Sequence, residues 1–186
     1  MRLSSCCCGA HDRRRAIFGA ASALLAAALP RNAASRAQPE PARAEDEKFM
    51  RLAIGEAAQG DYPFGAVIVR GGEVAAKGRN LGRTTRDPTA HAEMVAIRNF
   101  VASGRSPEFP EATIYASGEP CPMCMSAIVW CGMKRVVFAA SIEELSTRIG
   151  QIRLTSHTIA EAAPFETVAI TGGVLSQEAM ALFPKP

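Results

Sequence analysis

The chain has 186 residues, 48% hydrophobic and 21% charged, with 15 Gly and 12 Pro. That is material for one globular domain; it excludes a collagen-like repeat and a charge-rich disordered chain, and no apolar run is long enough for a membrane span. The formal charge of +3 is unevenly placed: residues 1–37 hold six Arg and one acid, and the rest carries 15 basic against 17 acidic residues, a balance of −2.

Arg13-Arg14-Arg15 precedes 14 apolar or small residues, Ala16 to Leu29, followed by Pro30 and a small-residue stretch to Ala37. This is the charged region, short apolar core and cleavage-site pattern of a secretory signal, and Arg14-Arg15-Ala16-Ile17-Phe18 resembles a twin-arginine export signal. As a helix, 14 residues reach about 21 Å, short of a hydrocarbon core of about 30 Å, so the segment reads as a signal and not an anchor. The expectation is a signal over residues 1–37 cut after Ala37, a Pro-rich linker over 38–43, and one domain over 44–186 in an exported, periplasmic protein. Cys6, Cys7 and Cys8 fall in the leader. The mature part keeps Cys121, Cys124 and Cys131, an odd number with no disulfide framework.

From Asp46 to Gln59 apolar residues recur at helical spacing until Gly60-Asp61. Gly65 to Arg70 and Glu73 to Arg79 flank Gly71-Gly72 and predict a hairpin. A polar loop ends in Asp87-Pro88-Thr89, a start signal for a helix from His91 to Ser103 that Gly104 closes. A strand over Ala112 to Ser117, a helix over Cys121 to Cys131, a strand over Arg135 to Ala140 and a helix over Ser141 to Ile149 follow. A strand over Glu166 to Thr171 and a helix over Leu175 to Phe183 complete the pattern. Alternating strands and helices favour an α/β sheet with helices on its faces.

His91-Ala92-Glu93 opens one predicted helix and Pro120-Cys121-Pro122-Met123-Cys124 the next. Imidazole and thiolate are zinc ligands, and a catalytic zinc keeps its fourth position for water. Cys121 and Cys124, at i and i+3, share one helix face. A helix N-terminus favours the thiolate forms. Alone, Cys-x-x-Cys fits a redox pair or half a structural knuckle, His91 a core imidazole and Glu93 a solvated helix acid; together they favour a catalytic zinc with Glu93 as proton carrier.

His-x-Glu with Pro-Cys-x-x-Cys is the zinc nucleobase deaminase signature. With Pro63-Phe64-Gly65-Ala66-Val67, Asn80, Asp87-Pro88-Thr89 and Glu119, it resembles the cytidine and deoxycytidylate deaminase superfamily, in the branch of guanine and tRNA adenosine deaminases; Ala127-Ile128-Val129-Trp130 resembles the guanine side. The resemblance covers about residues 45–140. It implies a three-layer α/β/α fold on a five-stranded mixed sheet, one zinc on His91, Cys121 and Cys124, catalysis by Glu93, and a homodimer. It also implies substrate contacts from Asn80, as donor and acceptor, and from the Ala92 backbone, with Phe64 and Trp130 as either stacking residues or core. Ser117-Gly118 would enlarge the pocket floor, Cys131 would be buried and inert, and Glu119 has no role beyond preceding a Pro. The tail after Ala140 departs from the pattern: it holds no Asp, where guanine deaminases use an acidic tail residue, and no basic cluster for tRNA. The expected activity is deamination of a free purine-like base or nucleoside; a tRNA deaminase and a non-catalytic zinc module are the alternatives. Four Lys in the whole chain and the −2 balance argue against nucleic acid.

Overall fold

The computed structural model describes residues 37–184, so the expected signal lies outside the described residues except for Ala37. Six strands form one sheet: β1 (Ala37–Pro39), β2 (Gly65–Arg70), β3 (Glu73–Arg79), β4 (Thr113–Gly118), β5 (Arg135–Ala140) and β6 (Val168–Thr171), in the order β1-β6-β5-β4-β2-β3. β2 runs antiparallel to β3 and β4, and the pairs β4–β5, β5–β6 and β6–β1 are parallel. The helices are α1 (Asp46–Ala57), α2 (Ala92–Ala102), α3 (Pro122–Trp130), α4 (Ile142–Ser146), α5 (Ser156–Ala162) and α6 (Ser176–Met180), with a 3-10 segment at Ser106–Glu111.

Period-two alternation along the strands builds two cores. Ile68, Ile114, Val136 and Ile170 enter a cluster with Ala96 and Phe100 of α2 and Ile128 of α3. Val67, Tyr115 and Val137 face the other way, against Phe49, Met50 and Ala53 of α1, Leu145 of α4 and Ala179 of α6. The result is the expected three-layer α/β/α arrangement, with six strands where five were expected. Among the described residues no helix is long and apolar enough to cross a membrane.

The sixth strand comes from the stretch expected to be linker. Ala37, Gln38 and Pro39 pair with Val168, Ala169 and Ile170 of β6, Glu40 N–H donates to the Ile170 carbonyl at 2.9 Å, and Ala37 N–H donates to Glu161 at 3.0 Å. Pro39 is compatible with this position because an edge strand is paired on one side only. The expected cut after Ala37 would therefore remove the first residue of β1.

Below the sheet end that carries Arg135, Asp46 is fully buried. Its carboxylate accepts from Arg135 Nη1 at 2.9 Å and Nη2 at 2.8 Å, from the Tyr115 hydroxyl at 2.9 Å and from Arg43 N–H at 2.7 Å. Burial alone would raise the Asp46 carboxyl; the bonds from Arg135, Arg43 and Tyr115 outweigh it and hold the group below its ordinary range.

Candidate metal and catalytic site

The site forms where the N-termini of α2 and α3 meet beyond the C-terminal end of β4. His91 caps α2 with extended backbone (φ −65°, ψ 157°), and Cys121 caps α3 likewise (φ −62°, ψ 167°) with Pro122 in the first helical turn. Pro suits that place, where no intrahelical N–H partner is needed. The turn before His91 is tied by Asp87, whose carboxylate accepts from Thr89 N–H at 2.8 Å and from the Thr89 hydroxyl at 2.6 Å. Gly78 of β3 lets α2 settle close to the sheet: a Cβ there would lie 2.2 Å from the Ala92 carbonyl oxygen. Any larger residue would push away the turn that carries His91 and Glu93.

His91 Nδ1 stands 3.6 Å from both Cys121 Sγ and Cys124 Sγ. Zinc bonds of about 2.3 Å to sulfur and 2.05 Å to nitrogen, at a tetrahedral angle, separate N and S by about 3.6 Å. The three donor atoms all lie within 4.8 Å of one another, so this donor set fits a zinc ion. Cys124 is fully buried, and its hydrogen bond to Cys121 favours the Cys121 thiolate, whose pKa is held well below that of an ordinary thiol. The same bond and burial raise the Cys124 thiol, and the bond to Cys121 raises the His91 imidazole.

Glu93 lies in the first turn of α2, 6% exposed. Burial, and secondarily the negative Cys121, raise its carboxyl from 4.5 to about 7. Glu93 opens with His91, Cys121, Asn80 and Phe64 into a cavity of about 270 Å³, at the lower edge of small-molecule pockets.

Of the four residues expected to contact substrate, Asn80 and Phe64 line this cavity, and Ala92 and Trp130 do not. Asn80 is 5% exposed and lines the cavity, and its Oδ1 accepts from Gly82 N–H at 3.1 Å. Phe64 lines the cavity and also packs edge-on against Phe183 at 5.3 Å. Ala92 is completely buried, backbone included, and does not line the cavity, so the expected contact from its backbone is not exposed there. Trp130 is absent from the cavity and from the core: it is 76% exposed and packs on Phe165 at 4.7 Å. α3 is apolar nearly all round, and its pattern does not tell which residue faces solvent. Cys131 is partly buried against the core rather than fully enclosed.

Ser117 and Gly118 do not widen the floor. Ser117 accepts from Gly65 N–H at 2.9 Å, and a Cβ at Gly118 would lie 3.0 Å from both Phe64 and Leu145, which already occupy that space. Sequence reasoning missed Tyr62, Glu119 and Ile149 to Ile152, all of which line the cavity. For Glu119 a signal existed in its place directly before Pro120-Cys121; the tail residues carry none.

The sequence profile described as "Cytidine and deoxycytidylate deaminase zinc-binding region" matches residues 43–140. The chain is 42% identical over 99 residues to the guanine deaminase of Bacillus subtilis (strain 168), a match that covers 50% of this chain and 64% of that protein, less than two thirds of its length. It is 37% identical over 138 residues to a tRNA-specific adenosine deaminase of Haemophilus influenzae, covering 72% of this chain and 78% of that one. A structure solved in a study of A-to-I editing by tRNA:A34 deaminases superposes with a TM-score of 0.64 at 28% identity, over 73% of this chain and 99% of that chain.

Proposed function

The chain belongs to the cytidine and deoxycytidylate deaminase family, and on that premise we propose that it is a zinc-dependent hydrolytic deaminase of a purine-like base, free or as its nucleoside. The reaction replaces an exocyclic ring amine by a carbonyl and releases ammonia. The observation that carries this reading is the buried Glu93 carboxyl beside three donors spaced for zinc, in a cavity sized for one base. A structural zinc module has no use for such a carboxyl.

His91, Cys121 and Cys124 would hold the ion, which supplies the Lewis acidity that lets water act as a nucleophile near neutral pH. Glu93 accepts the proton that the water gives up. It passes that proton to the ring nitrogen next to the attacked carbon, then takes the second proton from the hydroxyl now bonded to that carbon and gives it to the amine, which departs as ammonia while the carbonyl forms. Asn80 orients the base through its side-chain amide, and Phe64 confines the ring.

A second reading, editing of tRNA adenosine, is favoured by the similarity to tRNA deaminases and by Arg83 and Arg86, which line a cavity that shares Tyr62, Asn80 and His91 with the first. Ammonia release from guanine, guanosine, adenine, adenosine and a tRNA, each offered to zinc-loaded protein, separates the two: turnover of a free base or nucleoside is expected, and turnover of tRNA alone contradicts the primary reading.

Export by a twin-arginine route belongs to the same proposal, supported by Arg14-Arg15 ahead of the apolar Ala16 to Leu29. Folding and metal loading before export would protect Cys121 and Cys124 from oxidation. Replacing Arg14 and Arg15 by Lys should strand the precursor in the cytoplasm; normal export would refute the route. We also propose a homodimer, supported by the solvent-facing Trp130–Phe165 pair; a monomer mass by light scattering would refute it.

A further inference from the structure

Glu119 follows β4 and precedes Cys121 by two residues, and its side chain reaches to the tail of the chain. The residue is 7% exposed, and both carboxylate oxygens accept hydrogen bonds. Oε2 accepts from Ile142 N–H at 2.9 Å; Oε1 accepts from Ser156 N–H at 2.8 Å and from the Ser156 hydroxyl at 2.7 Å. Its own N–H donates to the Ala140 carbonyl at 2.7 Å, which fixes its backbone to the end of β5. Ile142 opens α4 and Ser156 opens α5. One carboxylate thus satisfies first-turn N–H groups of two helices, groups that have no intrahelical acceptor.

Between those two helices runs the stretch that contributes Ile149, Gly150, Gln151 and Ile152 to the cavity. Backbone bonds within this stretch are local, from Ile149 N–H to Leu145 at 3.0 Å and from Leu154 N–H to Ile152 at 2.8 Å. A segment with local bonds takes its position from its ends, and Glu119 grips both. We infer that Glu119 is a positioning residue that sets which base fits, because it fixes the 149–152 wall relative to His91, Glu93 and Asn80. This role rests on the deaminase reading above. It joins the motif that carries the metal ligands to a wall drawn from the tail.

The test uses zinc-loaded full chain and guanine as probe. In Glu119→Gln one acceptor oxygen remains, and the new amide faces an N–H donor, so one of the two grips is lost at unchanged size. KM for guanine should rise about 10- to 100-fold with kcat within about threefold, zinc should stay at one per chain, and amide hydrogen exchange over 149–152 should accelerate. Ser156→Pro is the second variant, usable where the first does not fold. Ser156 opens its helix, where Pro is tolerated, and Thr155 already holds the extended backbone (φ −71°, ψ 158°) that a following Pro requires. It deletes both donors to Oε1 and should move KM and exchange in the same direction. Faster exchange with an unchanged KM would make the clamp merely structural, and loss of zinc with kcat and KM both altered would route the effect through the metal; either overturns the inference, as does unchanged exchange in both variants. Failure of wild type to turn over guanine counts against the deaminase reading on that base, while the exchange measurements still decide the clamp.

Discussion

Replacing Asp46 by Asn removes one charge and no volume, which makes it a clean probe of what holds the sheet to α1. The Asp46 carboxylate takes four hydrogen bonds at 2.7 to 2.9 Å, two of them from Arg135, whose side chain is 6% exposed. Asn keeps one acceptor oxygen and presents an amide to donors, leaving the buried guanidinium without its paired charge. Breaking a buried pair in this way costs about 3–5 kcal/mol. Glu40 remains 3.4 Å from Arg135 Nε, which favours the lower end. At about 2–4 °C per kcal/mol for a domain of this size, Tm should fall by about 6–12 °C. Urea unfolding should show a lower midpoint with an unchanged slope. The sign of the pH dependence is fixed: the folded carboxyl is depressed, so its contribution is complete above the ordinary Asp range and is lost as pH falls through the folded value. The gap between wild type and variant should be constant near neutrality and shrink in acid. A gap below about 1 kcal/mol at pH 7, or one that persists unchanged in acid, would refute the reasoning.

The metal site yields two further expectations. Cys121→Ser should lose zinc, and Cys131→Ala should keep one zinc per chain by atomic absorption; the reverse result would overturn the ligand assignment. In the metal-free protein, burial raises Glu93 to about 7 from 4.5, so the folded state binds the extra proton and stability falls as pH rises from about 4.5 through 7. Metal-free Glu93→Gln should therefore gain on metal-free wild type across that window, by on the order of 3 kcal/mol. Denaturant titrations at pH 4.5 and 8 check this, and equal differences at both would contradict it.

The hairpin of β2 and β3 was legible in the sequence because its signals are local, a β-branched run up to Arg70, the Gly71-Gly72 turn and a returning segment, and its bounds agree with those observed. The metal donors were legible for a related reason: helix-start chemistry at Pro88 and Pro122 puts His91 and the cysteines at helix tips. What escaped depends on contacts far apart in sequence. β1 exists only because β6 lies beside it, 131 positions on in the Ala37–Val168 pair, and Pro39 and Pro41 hid it as a linker. α5 is a short polar segment whose start depends on Glu119. The cavity wall from Ile149 to Ile152 carries no motif, and its place follows from where α4 and α5 are anchored.

The central claim is that Glu93 moves protons during hydrolytic deamination, and the most direct test compares ammonia release from guanine by zinc-loaded wild type and Glu93→Gln. The amide preserves size while abolishing proton transfer, so fold and zinc content should be unchanged. Turnover should drop at least 10²- to 10⁴-fold, the usual loss for a general acid–base group. A Gln variant that retains zinc and releases ammonia within about tenfold of wild type would contradict the account.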